Sequence, residues 1–140
     1  MLSSTGRKTR QLAAAGMALA FGFLPIAAAQ ACEGAAWAPP GFWGPESKWR
    51  GSAWGYPGMM RSYKWAVGGN VPTYVCTQGW GFDDAHPHGG WFDTGCSKSG
   101  GEVSVPWGNN AASPRFHART AGPNGVIVKW QCGDGGPRRS

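Results

Sequence analysis

Residues Tyr74–Glu102 read YVCTQGWGFDDAHPHGGWFDTGCSKSGGE within a chain of 140 residues. They include two of its four cysteines, two of its nine tryptophans and two of its three histidines. The aromatic and β-branched side chains at Tyr74–Thr77 predict a short strand, because they suit a pleated surface. The Asp, His and Pro residues of Asp83–His88 are typical of a solvated turn. We therefore expect strands and turns here rather than helix.

The C-terminal third of the chain also alternates with a period of two. Every second residue of Val126–Cys132 is Val, Trp or Cys, so these side chains share one strand face. Arg115–Arg119 alternates as well, with His117 on its polar face. The intervening Gly122–Gly125 provides glycine where a turn needs a positive φ. We predict that the two strands form a terminal β-hairpin.

Helix has little support beyond the first 31 residues. The longest stretch there without Gly or Pro is Met59–Val67, which is too short for an independent helix and contains Tyr, Trp and Val. We expect strands at Tyr63–Val67 and at Val103–Trp107, where Pro106 marks a sheet edge or a strand end. Glu33–Gly58, which Trp, Gly and Pro punctuate, predicts coil or very short strands.

Residues 1–31 have the pattern of a secretory signal. The basic stretch Arg7–Arg10 precedes the uncharged apolar segment Leu12–Leu24, and the small residues of Ala27–Ala31 offer a cleavage site. The apolar segment is shorter than the roughly 20 residues of a membrane-spanning helix. We expect a secreted or periplasmic protein that has no membrane partner after the signal is removed.

All four cysteines follow the predicted signal: Cys32, Cys76, Cys96 and Cys132. In an oxidising compartment this even number predicts two disulfides, which could pair in three ways. We favour Cys32 with Cys132, which would close the ends of the domain, and Cys76 with Cys96, which would staple the central stretch. A zinc site has weak support because the sequence contains no closely spaced cysteine pair.

The chain beyond the signal is rich in Gly and in Trp. Only three of the 24 Gly and one of the 11 Pro lie in residues 1–31, and this composition alone suggests low complexity. All nine Trp also lie beyond the signal, however, and each can bury about 200 Å². We predict one small antiparallel all-β domain at residues 32–132, a disulfide-stapled sandwich or barrel with a Trp-rich core, and a flexible tail at 133–140.

Several short motifs resemble a known family. They are WAVGGNVP at Trp65–Pro72, YVCT at Tyr74–Thr77, HPHG at His86–Gly89, GC at Gly95–Cys96 and GGE at Gly100–Glu102. Their order is similar to that of a DM9 (DUF3421-type) repeat over about residues 65–104. The resemblance implies an antiparallel β fold and, as in several members of the family, carbohydrate recognition.

Two differences limit what the resemblance implies. The family's spacer between its VP motif and its YVC strand is missing, so Ala66–Gly69 also matches the family's later AVxGG motif. The family's turn lysine is absent as well, because His88–Gly90 reads His-Gly-Gly where the family has PGK. The resemblance therefore implies a turn that faces sugar, but no residue-by-residue mannose site.

The central stretch offers the chemistry of a sugar site. Sugars present apolar C–H faces and polar edges, so their sites pair flat indoles with groups that hydrogen-bond hydroxyls. Tryptophans in a small domain belong to the core more often than to an exposed platform, and this alternative stays open. We expect a carbohydrate or cell-surface glycan to bind seven residues: Trp80, Asp83, Asp84, His86, His88, Trp91 and Asp93.

Other functions have less support. The Asp83–His88 run offers carboxylates and two imidazoles, so a surface metal site stays open, although no metalloenzyme motif accompanies it. We expect neither an enzyme nor a cofactor, since the chain lacks GxSxG, HExxH and Walker-type motifs.

The charge of the chain argues against nucleic acid. Three of its 13 Lys and Arg residues lie in the predicted signal, so residues 32–140 contain ten cations and seven acids, and the cations form no basic stripe. The alternative to glycan binding is a secreted or periplasmic inhibitor, or an envelope structural protein, that contacts another protein through the aromatic-rich segment Trp37–Trp54.

Overall fold

The computed structural model describes residues 32–68 and 73–138, and every regular element in these two ranges is a β-strand. The predicted signal at 1–31 and the last two residues of the predicted tail lie outside the described residues. The all-β prediction is confirmed. The strands are β1 (Cys32–Ala38), β2 (Ser47–Lys48), β3 (Ala53–Trp54), β4 (Met59–Val67), β5 (Val75–Asp83), β6 (His86–Ser97), β7 (Gly100–Pro106), β8 (Ala111–Ala112), β9 (Arg115–Thr120) and β10 (Val126–Pro137).

The strands form two antiparallel sheets of four strands and a small two-stranded sheet. Sheet A has the order β1-β10-β4-β7, sheet B has the order β2-β9-β5-β6, and β3 pairs with β8. Sheets A and B each turn one face towards a shared core, as the alternating burial of β4 and β5 shows. Among the described residues, no helix is long and apolar enough to cross a membrane.

Aromatic side chains fill the space between the two sheets. Tyr63 and Trp130 of sheet A meet Phe116 of sheet B with ring centroids 5.4 to 6.1 Å apart, and all three side chains are buried. The Tyr63 hydroxyl donates a hydrogen bond to the carbonyl oxygen of Trp80 at 2.7 Å, so its polar end is satisfied inside the core. The Trp-rich core predicted from composition is therefore centred on only some of the tryptophans.

Both favoured disulfides are present. Cys32 pairs with Cys132 across β1 and β10, and Cys76 pairs with Cys96 across β5 and β6. In each case the two cysteines are direct cross-strand partners. One bridge therefore staples each of the two large sheets.

The predicted terminal hairpin is wrong, although both of its strands exist. β9 pairs with β2 and β5 in sheet B, whereas β10 pairs with β1 and β4 in sheet A. The turn between them crosses from one sheet to the other. Both strands bury one face in the same core, so their period of two indicated the buried face correctly but did not indicate the neighbouring strand.

Two further segments are more ordered than expected, and one strand end agrees with its prediction. Glu33–Gly58 was expected to lack long strands, but it contains most of the seven-residue β1; β2 and β3 are short, as predicted. The expected tail is also ordered in part, because β10 runs on to Pro137 and pairs with Met59 of β4. Pro106 ends β7, which is an edge strand, as predicted.

The two ends of the sandwich are built differently. At one end, β4 and β6 begin and β5, β7 and β10 finish. We call it the cleft end. The opposite end, where β1, β4 and β9 finish and β10 begins, is the far end. The candidate site lies at the cleft end.

Candidate functional site

A cleft of about 370 Å³ opens at the cleft end of the sandwich. The β5–β6 hairpin forms one wall, and the segment that follows β7 forms the other. Its lining combines aromatic and thioether side chains with carboxylates, an amide and a guanidinium. The lining residues are Gly58, Met59, Met60, Phe82, Asp83, Asp84, Pro87, Pro106, Trp107, Gly108, Asn110 and Arg138.

A carboxylate closes the β5–β6 hairpin. Asp83 Oδ1 accepts a hydrogen bond from the backbone N–H of His86 at 2.8 Å and lies 2.9 Å from His86 Nδ1. The hydrogen bond from the His86 side chain lowers the pKa of Asp83 below its ordinary value. Asp83 is therefore an anion near neutral pH, and the exposed Asp84 beside it completes an acidic lip on the cleft.

Reciprocal hydrogen bonds hold the opposite wall. Trp107 Nε1 donates to the carbonyl oxygen of Asn110 at 2.8 Å, and Asn110 Nδ2 donates to the carbonyl oxygen of Trp107 at 2.6 Å. Gly108 between them has φ of 70°, a left-handed conformation that favours glycine. The backbone N–H groups of Trp107 and Gly108 both donate to Met59 O. This wall is therefore fixed to β4.

Positive charge lies beside and behind the cleft. The backbone N–H of Arg138 donates to Gly58 O at 2.6 Å, which anchors Arg138 at the rim. The buried Arg61 stacks its guanidinium 4.6 Å from the ring centroid of Trp107. Burial lowers the pKa of Arg61, and its Nε and Nη1 atoms make no hydrogen bond within the described part of the chain.

Two exposed aromatic rings adjoin this wall. Trp54 is 68% exposed and Tyr56 is 37% exposed. Trp54 lies opposite Ala111 in the small sheet, and the next residue along donates its N–H to the carbonyl oxygen of Asn110 at 2.9 Å. The Tyr56 hydroxyl donates to Asp134 Oδ1 at 3.0 Å. An indole and a phenol are thus partly exposed to solvent close to the polar groups of the cleft.

Sequence reasoning did not assign these surrounding residues to a site. It placed Trp54 in an aromatic segment for protein contacts, and it gave no role to Asn110 or to Arg138. The pairing of β3 with β8 brings Trp54 close to Asn110, and two-residue strands leave no periodic signal. Arg138 joins them through its backbone hydrogen bond to Gly58. The sequence shows the aromatic residues of the Trp-Gly-Tyr-Pro-Gly segment at 54–58, but it does not show that this segment lies beside the cleft.

The structure divides the seven predicted site residues into three groups. Asp83 and Asp84 line the cleft. His86 and His88 are exposed at the start of β6, with His86 held by Asp83. The remaining three, which are Trp80, Trp91 and Asp93, lie on β5 and β6 and do not line the cleft.

The position of the turn also differs from expectation. The predicted turn spanned Asp83–His88, and the family resemblance placed a turn at His88–Gly90. The observed turn is confined to Asp84 and Ala85, because β6 begins at His86. The residues that the resemblance assigned to a sugar-facing turn are therefore strand residues.

A stack of three rings covers the outer face of sheet B. His117 lies between Trp43 and Trp91, with ring centroids 4.5 and 3.8 Å away and both interplanar angles 10°. Trp80 meets Trp91 edge to face at 5.2 Å, and Arg115 lies 4.4 Å from the Trp80 ring centroid. The indoles of the predicted sugar platform are thus engaged with protein groups.

Hydrogen bonds extend from the centre of this stack. His117 Nε2 lies 2.7 Å from Gln78 Oε1, and Gln78 Nε2 donates to Asp93 Oδ1 at 3.0 Å. Burial lowers the pKa of His117 to about 4, although the nearby Glu46 opposes this shift. The imidazole is therefore neutral near pH 7, and its Nε2–H donates to Gln78. His117 lies on the outer strand face as predicted, but it is only 8% exposed.

The ranges 32–68 and 73–138 contain no group of three or more His, Cys, Asp or Glu residues that could hold a metal ion. Comparison with protein-family models, with curated proteins and with solved structures found no match for the chain. The DM9 resemblance therefore stays a prediction.

Proposed function

We propose that this protein is a non-catalytic glycan-binding domain and that the cleft is its sugar site. The proposal depends chiefly on one observation, the cleft's combination of Asp84, Asn110 and Arg138 with aromatic side chains, beside the exposed ring of Trp54. Its volume of about 370 Å³ is within the range of small-molecule sites. The two disulfides fit an oxidising compartment, and we propose that the domain acts there after secretion.

Each group matches one part of a sugar ring. The carboxylate of Asp84 accepts hydrogen bonds from hydroxyls, the guanidinium of Arg138 donates them, and the Asn110 side chain offers an amide. The Trp54 indole is flat and exposed, so it can cover an apolar C–H face. The backbone of these residues is held by a strand, a tight turn or a backbone hydrogen bond, which limits the conformational entropy that is lost when a sugar binds.

This proposal moves the site away from the indoles that the sequence favoured. Trp43 and Trp91 each stack one face of the indole on His117. Trp80 is covered on one face by Arg115. These rings then serve as the frame of sheet B, while Asp83 and Asp84 of the central stretch contribute to binding.

Asp83 does not fit the role of the general acid in glycoside hydrolysis. A hydrolase needs one carboxylic acid with a raised pKa, which protonates the leaving group. The pKa of Asp83 is shifted the other way by His86. Both pairs of described cysteines are oxidised, so neither supplies a thiolate nucleophile.

The test is a calorimetric titration of the oxidised protein with a panel of soluble oligosaccharides derived from mannan, β-glucan, chitin and peptidoglycan. We expect saturable binding to at least one of them. Trp54→Ala and Asp84→Asn should each weaken it by about tenfold, which corresponds to about 1.4 kcal/mol.

Trp37→Ala is the matched control, because Trp37 is also an exposed indole but lies at the far end. Its affinity should stay within about twofold of the wild type. Equal losses in the Trp37 and Trp54 variants would contradict a site in the cleft. Binding to none of the glycans would favour the alternative of a protein-binding or structural role.

A further inference from the structure

Exposed apolar side chains are concentrated at the far end of the sandwich. Four of the six large hydrophobic residues that are exposed in the described ranges belong to segments at this end. The four are Trp37 (44% exposed), Phe42 (64%), Tyr74 (56%) and Ile127 (45%). Single exposed hydrophobic residues are ordinary, but a concentration at one end of a small domain marks an interaction surface.

Backbone pairing joins the four residues around one turn. Trp37 and Ile127 are cross-strand partners on β1 and β10. The residue before Phe42 donates its N–H to Thr120 O at 2.9 Å, and the residue after Thr120 donates to Tyr74 O at 3.0 Å. All four side chains therefore flank the connection between β9 and β10. We call this group the far-end patch.

The charges beside the far-end patch are positive. Lys98 Nζ lies 5.5 Å from the ring centroid of Tyr74, and the exposed Arg119 lies beside Trp43 at 4.8 Å. The sequence has no Asp or Glu in residues 37–43, 73–74, 97–99 or 119–127, which are the segments around the patch. Acidic residues lie at the other end instead, where Asp83 and Asp84 line the cleft.

We propose that the far-end patch docks the protein onto the surface of an anionic phospholipid bilayer. Aromatic and aliphatic side chains enter the boundary between headgroups and acyl chains, while Lys98 and Arg119 meet lipid phosphates. Phe42 and Ile127 have no side-chain group for hydroxyls, so a polysaccharide is a poorer match than lipid.

This inference goes beyond glycan binding and differs from the expectation that the secreted protein has no membrane partner. It concerns attachment to a membrane surface and not a membrane-spanning segment. Because the cleft lies at the opposite end, a protein docked by the far-end patch would present its cleft away from the bilayer. Glycan binding and membrane docking use separate residues, so either proposal can fail alone.

The test measures sedimentation of the oxidised, secreted protein with vesicles of phosphatidylcholine, with or without about 30% phosphatidylglycerol. We expect binding to the anionic vesicles, and we expect it to weaken as salt rises from about 50 to about 500 mM, because salt screens Lys98 and Arg119. Lys98→Gln should weaken binding by about fivefold. Phe42→Ser should weaken it by about tenfold or more.

The matched control is Trp54→Ser, which removes a side chain of similar exposure at the cleft end. This variant should sediment like the wild type, and unfolding midpoints should show that all variants are folded. The proposal is overturned if neither kind of vesicle binds, if neutral vesicles bind equally well, or if Trp54→Ser loses as much as Phe42→Ser. Release by dextran sulfate together with no effect of Phe42→Ser would instead indicate a polyanion site, and would also overturn it.

Discussion

The buried imidazole of His117 should make the domain less stable in acid. Its pKa is lowered to about 4 from an ordinary value of 6.5, chiefly because burial disfavours the charged ring. The pKa of His117 is lower in the folded state than in the unfolded state, so its contribution to the stability of the fold is fully present above about pH 6.5. It is lost as the pH falls towards 4, where the unfolded chain binds the proton more readily.

The size of this loss follows from the shift of the pKa. At 1.36 kcal/mol per pKa unit, protonation at about pH 4 costs at most roughly 3 kcal/mol. Attraction between an imidazolium and the two stacked indoles offsets part of this, by about 0.5 to 2 kcal/mol. We therefore expect a net loss of about 1 to 3 kcal/mol between pH 7 and pH 4 from this residue.

The assay is reversible urea unfolding of the wild type and of His117→Phe, followed by tryptophan fluorescence across this pH range. Phenylalanine keeps a ring between Trp43 and Trp91 but does not titrate. Between pH 7 and pH 4, the free energy of unfolding of the variant should fall by about 1 to 3 kcal/mol less than that of the wild type. The carboxylates affect both proteins equally, so their effect cancels when the two are compared. Equal losses, or a His117 proton resonance that titrates near pH 6.5, would refute the reasoning.

Three further predictions concern the frame. Replacing Cys32 and Cys132 by Ala should lower the free energy of unfolding by about 4 to 5 kcal/mol, because this bridge spans 100 residues. Replacing Cys76 and Cys96 should lower it by about 3 kcal/mol, because this bridge spans only 20. The reverse order in urea unfolding would contradict this. Gly79→Ala should cost about 1 to 3 kcal/mol, since the added Cβ would lie 2.7 Å from the buried Tyr63 ring. The control Gly68→Ala, whose Cβ would meet only the carbonyl oxygen of Ile127 at 3.5 Å among the described residues, should be near neutral in the same assay. Arg61→Met should be at least as stable as the wild type in thermal unfolding, because it removes a buried guanidinium whose Nε and Nη1 make no hydrogen bond among the described residues. A loss above about 1 kcal/mol would contradict this.

Local patterns in the sequence predicted β4, β5, β7, β9 and β10 at least in part, because alternation reports which residues face a core. They did not predict the full length of β1 or any strand at β6. Val128 and Trp130 of β10 are buried as their period of two indicated, and Pro106 ends an edge strand. The same patterns could not predict that β9 and β10 belong to different sheets. Strand pairing depends on contacts distant in sequence, such as β1 with β10, which the sequence marked only through Cys32 and Cys132.

The candidate site was predicted only in part, for a related reason. Asp83 and Asp84 are close in sequence and reach the cleft together because they end β5 and open the hairpin turn. Asn110 and Arg138 reach it from remote segments whose spacing shows no motif. Trp80 and Trp91 are of the residue type that forms sugar-binding platforms, but side chains of β9 pack on their rings. His117 stacks on Trp91, and Arg115 lies over Trp80.

The most direct test of the cleft as a sugar site is to record the indole Nε1–H resonances of the nitrogen-15 labelled protein while the best oligosaccharide is added. The nine tryptophans are spread over both ends and both large sheets, so they report the position of the ligand. We expect the resonances of Trp54 and Trp107 to shift and saturate together, while those of Trp37 and Trp43 stay in place. Saturable shifts confined to Trp37 or to the His117 stack would contradict the account.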